Sequence, residues 1–242
     1  MPFRELLLEY KPGESRQLFR ERLNRRGILS QFTDSRQRDM LERFYLRFPT
    51  DVRTWPALRL LMGEGSPKVQ ALALYFHTAR TELILRDFVL EFLFPLWQSG
   101  KQDVKVEDAH LWVQQATTLR GQHWSDSVSL RAARSMLSTA RDAGLLEGAQ
   151  NKRLRYPHLP DAATLYILLT LHAQGFTSGQ RVLSHPDWRT FLLTESEVGA
   201  HLVHLAERGL IEWSATGSIY NLHIPADLSD ERAVVELTRA AL

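Results

Sequence analysis

Apolar positions recur along the chain mainly at the three- and four-residue spacing of amphipathic helices. Ser15 to Arg26 reads as a helix closed by Gly27, a residue suited to the left-handed position beyond a helix end. Thr33 is placed to cap a second helix with Met40, Leu41, Phe44, Tyr45 and Phe48 on its apolar face and Pro49 at its end. A short helix near Trp55–Met62 follows, and Gly63-Glu-Gly-Ser-Pro67 reads as a linker. Lys68 to Trp97 predicts one or two mostly buried helices interrupted near Pro95, and Val106–Thr117 predicts another.

Two later stretches resemble each other. Leu137-Ser-Thr-Ala-Arg-Asp-Ala-Gly-Leu-Leu-Glu147 and Leu202-Val-His-Leu-Ala-Glu-Arg-Gly-Leu-Ile-Glu212 each end an amphipathic helix, then give glycine, two apolar residues and glutamate. After the second, Ile211–Ala215 and Ser218–Ile224 alternate about a turn at Thr216-Gly217, which predicts a hairpin. After the first, Gly148–Tyr156 has room for a shorter or looser hairpin. Helix, glycine, strand and wing make the back half of a winged helix–turn–helix, although helix–Gly–Leu–Ile is also a common way to end a helix. The expected fold is mainly α, a helical body with winged helix–turn–helix-like units whose wings are small β-hairpins. Three regions follow: a basic helical arm over residues 1–64, a central helical domain with the first unit over 65–157, and a winged-helix-like domain with a terminal helix over 158–242.

The 242 residues are ample for a buried core without staples, and the absence of cysteine excludes disulfides, thiolate metal sites and cysteine nucleophiles. No secretory signal is visible at Met1–Leu8, and the longest unbroken apolar run, Phe92–Trp97, is far short of the roughly 20 residues of a membrane span. A cytoplasmic protein is expected. The net charge of +2 conceals an asymmetry: residues 1–160 hold 25 basic and 18 acidic side chains, and residues 161–242 hold 5 and 10. Arginine accounts for 25 of the 30 basic residues, and its fork suits phosphate, although a GC-rich genome gives the same bias.

At about 100° per residue, Ser127, Arg131, Arg134 and Ser138 fall within an arc of about 60° on the first repeated helix. Lys152, Arg153 and Arg155 follow on the expected wing, with Asn151 and Tyr156 beside them. Two arginines on a helix and three cations on the adjacent wing are suited to straddle a phosphate backbone, or to serve as a solvated face. The second repeated helix carries Glu197, His201, His204 and Arg208 on one stripe, with no cationic surplus, and reads as a scaffold or protein-docking copy. Arg16, Arg20, Arg22, Arg25 and Arg26 crowd the first long helix, as an electrostatic arm or as a helix laced with surface ion pairs.

No phosphate loop, nucleophile elbow or His-Glu-x-x-His motif is present, and no acid, base and nucleophile assemble. Glu197, His201 and His204 have a spacing able to chelate a metal on one helix face, but three residues without a fourth ligand fit a polar face better. His172, on an apolar helix, reads as a packed histidine, and His185-Pro186-Asp187 as a turn into the helix carrying Trp188 and Phe191. Neither an enzyme nor a cofactor is expected.

From Gln70 to about Ile224 the chain resembles the BrxA family of bacteriophage-exclusion (BREX) defence systems. The matching stretches are Gln70-Ala-Leu-Ala-Leu-Tyr75, Leu85-Arg-Asp-Phe-Val-Leu-Glu91, Trp124 with Ser127, Arg131, Leu137 and Gly144-Leu-Leu146, and Leu159-Pro-Asp-Ala-Ala-Thr-Leu-Tyr-Ile-Leu169. Gly179-Gln-Arg-Val-Leu-Ser-His-Pro-Asp-Trp188, Phe191-Leu-Leu193 and Gly209-Leu-Ile211 complete the pattern, and the first 65 residues match less well. The resemblance implies a mostly helical, non-enzymatic protein that binds double-stranded DNA beside a methyltransferase, an ATPase and a phosphatase-like subunit. Some family members carry a membrane label, which the hydropathy of this chain opposes. The resemblance supplies no motif for DNA contact, so the candidate residues rest on helix-face geometry. Two other readings stay open: an adaptor within the defence complex, and a sequence-specific winged-helix regulator.

Overall fold

The computed structural model describes residues 3–48, 52–156, 158–217 and 219–242. In chain order the elements are α1 (Phe3–Glu9), α2 (Arg16–Arg25), α3 (Asp34–Arg47), α4 (Trp55–Glu64), α5 (Pro67–Thr81), α6 (Leu83–Phe88), α7 (Phe94–Gln98), β1 (Asp103–Val104), α8 (Val106–Leu119) and α9 (Asp126–Asp142). They continue with β2 (Leu146–Glu147), β3 (Lys152–Leu154), α10 (Asp161–Ala173), α11 (Gly179–Leu183), α12 (Glu195–Glu207), β4 (Glu212–Thr216), β5 (Ile219–His223) and α13 (Glu231–Ala240). A π-turn, Val89–Leu93, joins α6 to α7, and a 3-10 turn, Pro186–Phe191, precedes α12. The fold is mainly helical with small antiparallel hairpins, as the sequence predicts.

Side chains set many of the helix ends. The Ser15 and Thr33 hydroxyls accept the main-chain N–H of Leu18 and Arg36, satisfying donors that the first helical turn leaves open. Pro49 lies outside the described residues; the last helical residue of α3 is Arg47. The expected linker is shorter than Gly63–Pro67. Helix α4 runs through Gly63 and Glu64, and Pro67 opens α5, where its missing N–H costs nothing. Only Gly65 and Ser66 form the joint, and a Cβ at Gly65 would lie 2.5 Å from the Leu61 carbonyl oxygen.

The break in the next stretch falls at Glu82 rather than at Pro95. Pro95 sits in the first turn of α7, directly after the π-turn, where Phe94 N–H bonds Val89 O one residue further back than in an α-helix. That wider turn opens the spiral where the proline ring would crowd the Glu91 carbonyl.

The chain forms two compact units. One comprises residues 1–77, 160–183 and 200–242; the other comprises 78–159 and 184–199. Residues 1–64 are therefore not a separate arm, and the division differs from the boundaries at 64/65 and 157/158. The physical reason is that α1–α4 carry apolar faces in need of a cover. The Tyr10 ring meets Phe19, Phe44 and Trp55 edge-on, and α4 packs on α1, α10 and α13. Helix α10, buried from Ala162 to Leu171, is apolar on every side, as a central helix must be.

In the second unit α8 packs along α9, and β1, β3 and β2 form an antiparallel sheet in that order. Asp187, 1% exposed, is held by Arg80 at 3.1 Å and Arg86 at 3.4 Å, which tie the 3-10 turn to α5 and α6.

Candidate nucleic-acid interface

Helix α9 is positioned by polar contacts to α8. The His110 Nε2 atom lies 2.9 Å from the buried Ser129 hydroxyl, and the Gln114 amide donates to Asp126 Oδ1 at 3.0 Å. Ala133, Met136, Leu137 and Ala140 fill the inner face. Ser127, Arg131 and Arg134 remain exposed on the outer face, with Ser138 half-buried. Arg131 and Arg134 form no ion pair or side-chain hydrogen bond among the described residues. Arg141, at the margin, is spent on Asp142 at 3.0 Å and the Ser138 hydroxyl at 3.2 Å.

The helix ends as the repeat requires. Gly144 takes a φ of 77°, its N–H bonds Arg141 O at 2.8 Å, and Leu145 N–H reaches back to Ala140 O at 2.9 Å. Gly209 takes 70°, its N–H bonds Ala206 O at 2.8 Å, and Leu210 N–H reaches Leu205 O at 2.9 Å. The two stretches therefore share one backbone device, a left-handed glycine that reverses the chain into a hairpin.

The first hairpin pairs Leu146 with Leu154 and Glu147 with Arg153, and β1 pairs Asp103 with Arg153 and Val104 with Lys152. The wing carries its cations unequally. Arg155 is exposed and without a side-chain partner among the described residues. Lys152 folds back to donate to Ala149 O at 2.7 Å. Arg153 is shared with neighbouring groups, its Nε 3.3 Å from Asp103 Oδ1 and its Nη2 donating to Gln102 Oε1 at 2.8 Å. Tyr156, 66% exposed, meets the Trp97 ring edge-on at 5.8 Å.

The four N-terminal arginines do not form one face. Arg22 bonds Glu14 and donates to Glu9 O at 2.8 Å, and Arg26 bonds the Glu9 carboxylate. Arg16 lies 4.4 Å above the Tyr45 ring, whose hydroxyl burial pushes up to about 12. Arg20 and Arg25 are exposed without partners among the described residues, but their five-residue spacing puts them about 140° apart around α2.

The second repeat has no free arginine on its stripe. Arg208 bonds Asp161 and donates to Ala240 O at 2.9 Å, and His204 Nε2 lies 3.3 Å from Asp161 Oδ2. The Glu197 carboxylate accepts the Thr194 N–H at 2.7 Å and its hydroxyl at 2.8 Å, a helix-capping role. Among the described residues no three His, Asp or Glu side chains converge to hold a metal ion.

Sequence reasoning missed β1, Asp103, Gln102, His110 and Gln114. A two-residue strand has no alternation to detect, and the acid that offsets Arg153 lies far from it in sequence.

A mainly helical protein with two helix–glycine–hairpin repeats, one of them bearing unpaired arginines on its outer helix face, is the class these elements define. The chain belongs to the BrxA family, whose model matches residues 3–168. The match begins within α1, so the N-terminal segment belongs to the family pattern more fully than the sequence suggests, and residues 169–224 lie beyond the matched range. Membership associates the chain with bacteriophage-exclusion defence. No curated protein and no solved structure matches the chain. No described helix is long and apolar enough to cross a membrane.

Proposed function

We propose that this protein is a non-enzymatic double-stranded DNA-binding subunit of a BREX system, with the second compact unit acting as a winged helix. The order α6–α7, β1, α8, α9, β2, β3, with β3 between β1 and β2, is the topology such a domain uses, and α9 takes the place of its reading helix. The observation that carries the reading is the pair Arg131 and Arg134, exposed and unpaired beside the Lys152–Arg155 hairpin. The remaining cations here are few, so phosphate contact with low sequence specificity is favoured over base readout. Arg20 and Arg25 offer at most one further phosphate contact per face of α2. A methyltransferase, an ATPase and a phosphatase-like protein are the expected BREX partners.

Binding to a random duplex is measured by fluorescence anisotropy at about 50 and about 200 mM salt, beside an RNA duplex of equal length. If about five phosphates are neutralised, the log–log salt slope is near −4.5. Absence of binding at low salt, or binding insensitive to salt, overturns the reading in favour of an adaptor. A preference for one operator of about a thousandfold or more over random DNA identifies a sequence-specific regulator instead.

A further inference from the structure

The second hairpin leaves one edge of its sheet open. Strands β4 and β5 pair from Glu212–His223 to Thr216–Ile219 and form a two-stranded sheet. Antiparallel pairs alternate between those that exchange hydrogen bonds and those that do not. With Thr216 and Ile219 closing a two-residue loop, Ser214–Asn221 and Glu212–His223 exchange bonds, and the main-chain groups of Trp213, Ala215, Tyr220 and Leu222 point outward.

The two outer edges differ. On β5 the Tyr220 carbonyl abuts the start of α11, so closely that a Cβ on Gly179 would lie 2.6 Å from its oxygen. On β4, Glu212, Ser214, Ala215 and Thr216 are exposed, and the N–H and C=O groups of Trp213 and Ala215 make no hydrogen bond among the described residues. Proteins ordinarily guard such an edge with lysine, proline or a bulge. Glu-Trp-Ser-Ala-Thr has neither lysine nor proline, and its ladder runs through five consecutive pairs without a bulge. On one face beside the edge, the Trp213 and Tyr220 rings stack at 5.8 Å and 27° and remain half-exposed.

Charge indicates what fits there. Residues 161–242 hold ten acidic and five basic side chains, and three of those five arginines are engaged, Arg208 with Asp161, Arg232 with Glu236 and Arg239 with Glu64. Glu212 stands exposed at the start of the open strand. An approaching basic chain is attracted, and an acidic one is repelled.

We propose that the open edge of β4 docks an extended, basic segment of a partner protein as a third strand. Its main chain bonds Trp213 and Ala215, its apolar side chains lie on the Trp213–Tyr220 face, and its basic side chains lie on the Glu212 face. This is strand addition, in which main-chain bonds hold the segment and alternate side chains select it. The inference is independent of the DNA reading, which rests on the other compact unit.

The probe is a short peptide alternating valine with lysine, titrated onto the full chain and followed by Trp fluorescence and by the amide resonances of Trp213 and Ala215. Saturable binding is expected, lost when glutamate replaces lysine and lost when the outward peptide amides are N-methylated. Ala215→Pro removes an outward N–H without touching a bond to β5, and weakens binding about tenfold or more. Glu212→Lys, on an exposed side chain that leaves the main chain intact, weakens it as well. No binding, equal binding of the glutamate peptide, or binding unaffected by N-methylation overturns the proposal. So does self-association of the protein alone that Ala215→Pro abolishes, since the edge then serves a second copy. Duplex binding is expected to be unchanged in both variants; its loss with peptide binding intact assigns the hairpin to nucleic acid and also overturns the proposal.

Discussion

Arg153 Nε lies 3.3 Å from Asp103 Oδ1 across the β1–β3 pairing, so a wing cation sits beside a carboxylate from the strand that completes the sheet. Both side chains are more than half exposed, so the pair adds little to stability. Its electrostatic effect on a phosphate backbone is larger than its effect on folding. Asp103→Asn is expected to tighten duplex binding several-fold at low salt and to leave the melting temperature nearly unchanged. Unchanged affinity would remove the wing from the interface.

Arg131 and Arg134 separate from Arg22 and Arg26 by what they already bond. Replacing the α9 pair with alanine is expected to weaken duplex binding and to reduce the salt slope by about 1.8, the share of two phosphates. Arg22→Ala is expected to leave the slope alone and to cost about 1–2 kcal/mol in stability, because Glu14 and the Glu9 carbonyl lose their donor. Paired salt titrations and urea melts check both; a slope change in Arg22→Ala would return α2 to the interface.

Gly179 is a packing glycine rather than a turn glycine. A methyl group there would meet Tyr220 O at 2.6 Å and its carbonyl carbon at 2.8 Å, both backbone atoms that cannot rotate aside. Gly179→Ala is expected to destabilise the protein by about 1–3 kcal/mol through displacement of β5. A chemical melt measures it, and a wild-type midpoint would mean the hairpin yields without cost.

Two histidines make the fold sensitive to acid. Burial pushes His185 down; Asp187 opposes this, and Arg80 and Arg86 add to it. Burial, then His223 and Arg53, push His172 down. Both fold best as neutral rings, so their contribution is complete above about pH 6.5 and is lost as pH falls through the lowered folded values. His185 Nδ1 also accepts the Asp187 N–H at 3.2 Å, which requires that nitrogen unprotonated. Urea midpoints between about pH 7.5 and about pH 5 are expected to fall, with a shallower decline in His185→Asn, whose amide oxygen can accept the same bond. An equally steep decline in that variant would place the acid sensitivity elsewhere.

Local chemistry made much of this fold legible. The Ser15 and Thr33 caps, the glycines at 144 and 209 and the Thr216–Ile219 hairpin closure each act over a few residues, and each appears where the sequence places it. What sequence could not convey acts at distance. Glu9 and Glu14 take Arg26 and Arg22 out of the candidate face, and Asp103 attenuates Arg153. The N-terminal helices look like an arm because their cover, α10 and α13, comes from the far end of the chain. Two of the nine candidate cations are thus committed to the fold, a distinction that charge counting along the chain does not make.

The π-turn at Val89–Leu93 has a consequence for how this chain tolerates changes in length. A π-turn is a helix carrying one surplus residue, and in rotation that residue is worth about 100°. Losing any one residue from the segment would act less as a shortening than as a twist. It would swing everything beyond it, Pro95 and Trp97 included, around the axis, and the Tyr156 ring now meeting Trp97 would face a different side chain. The surplus residue is the angular setting that aims α7 at the exit of the first hairpin.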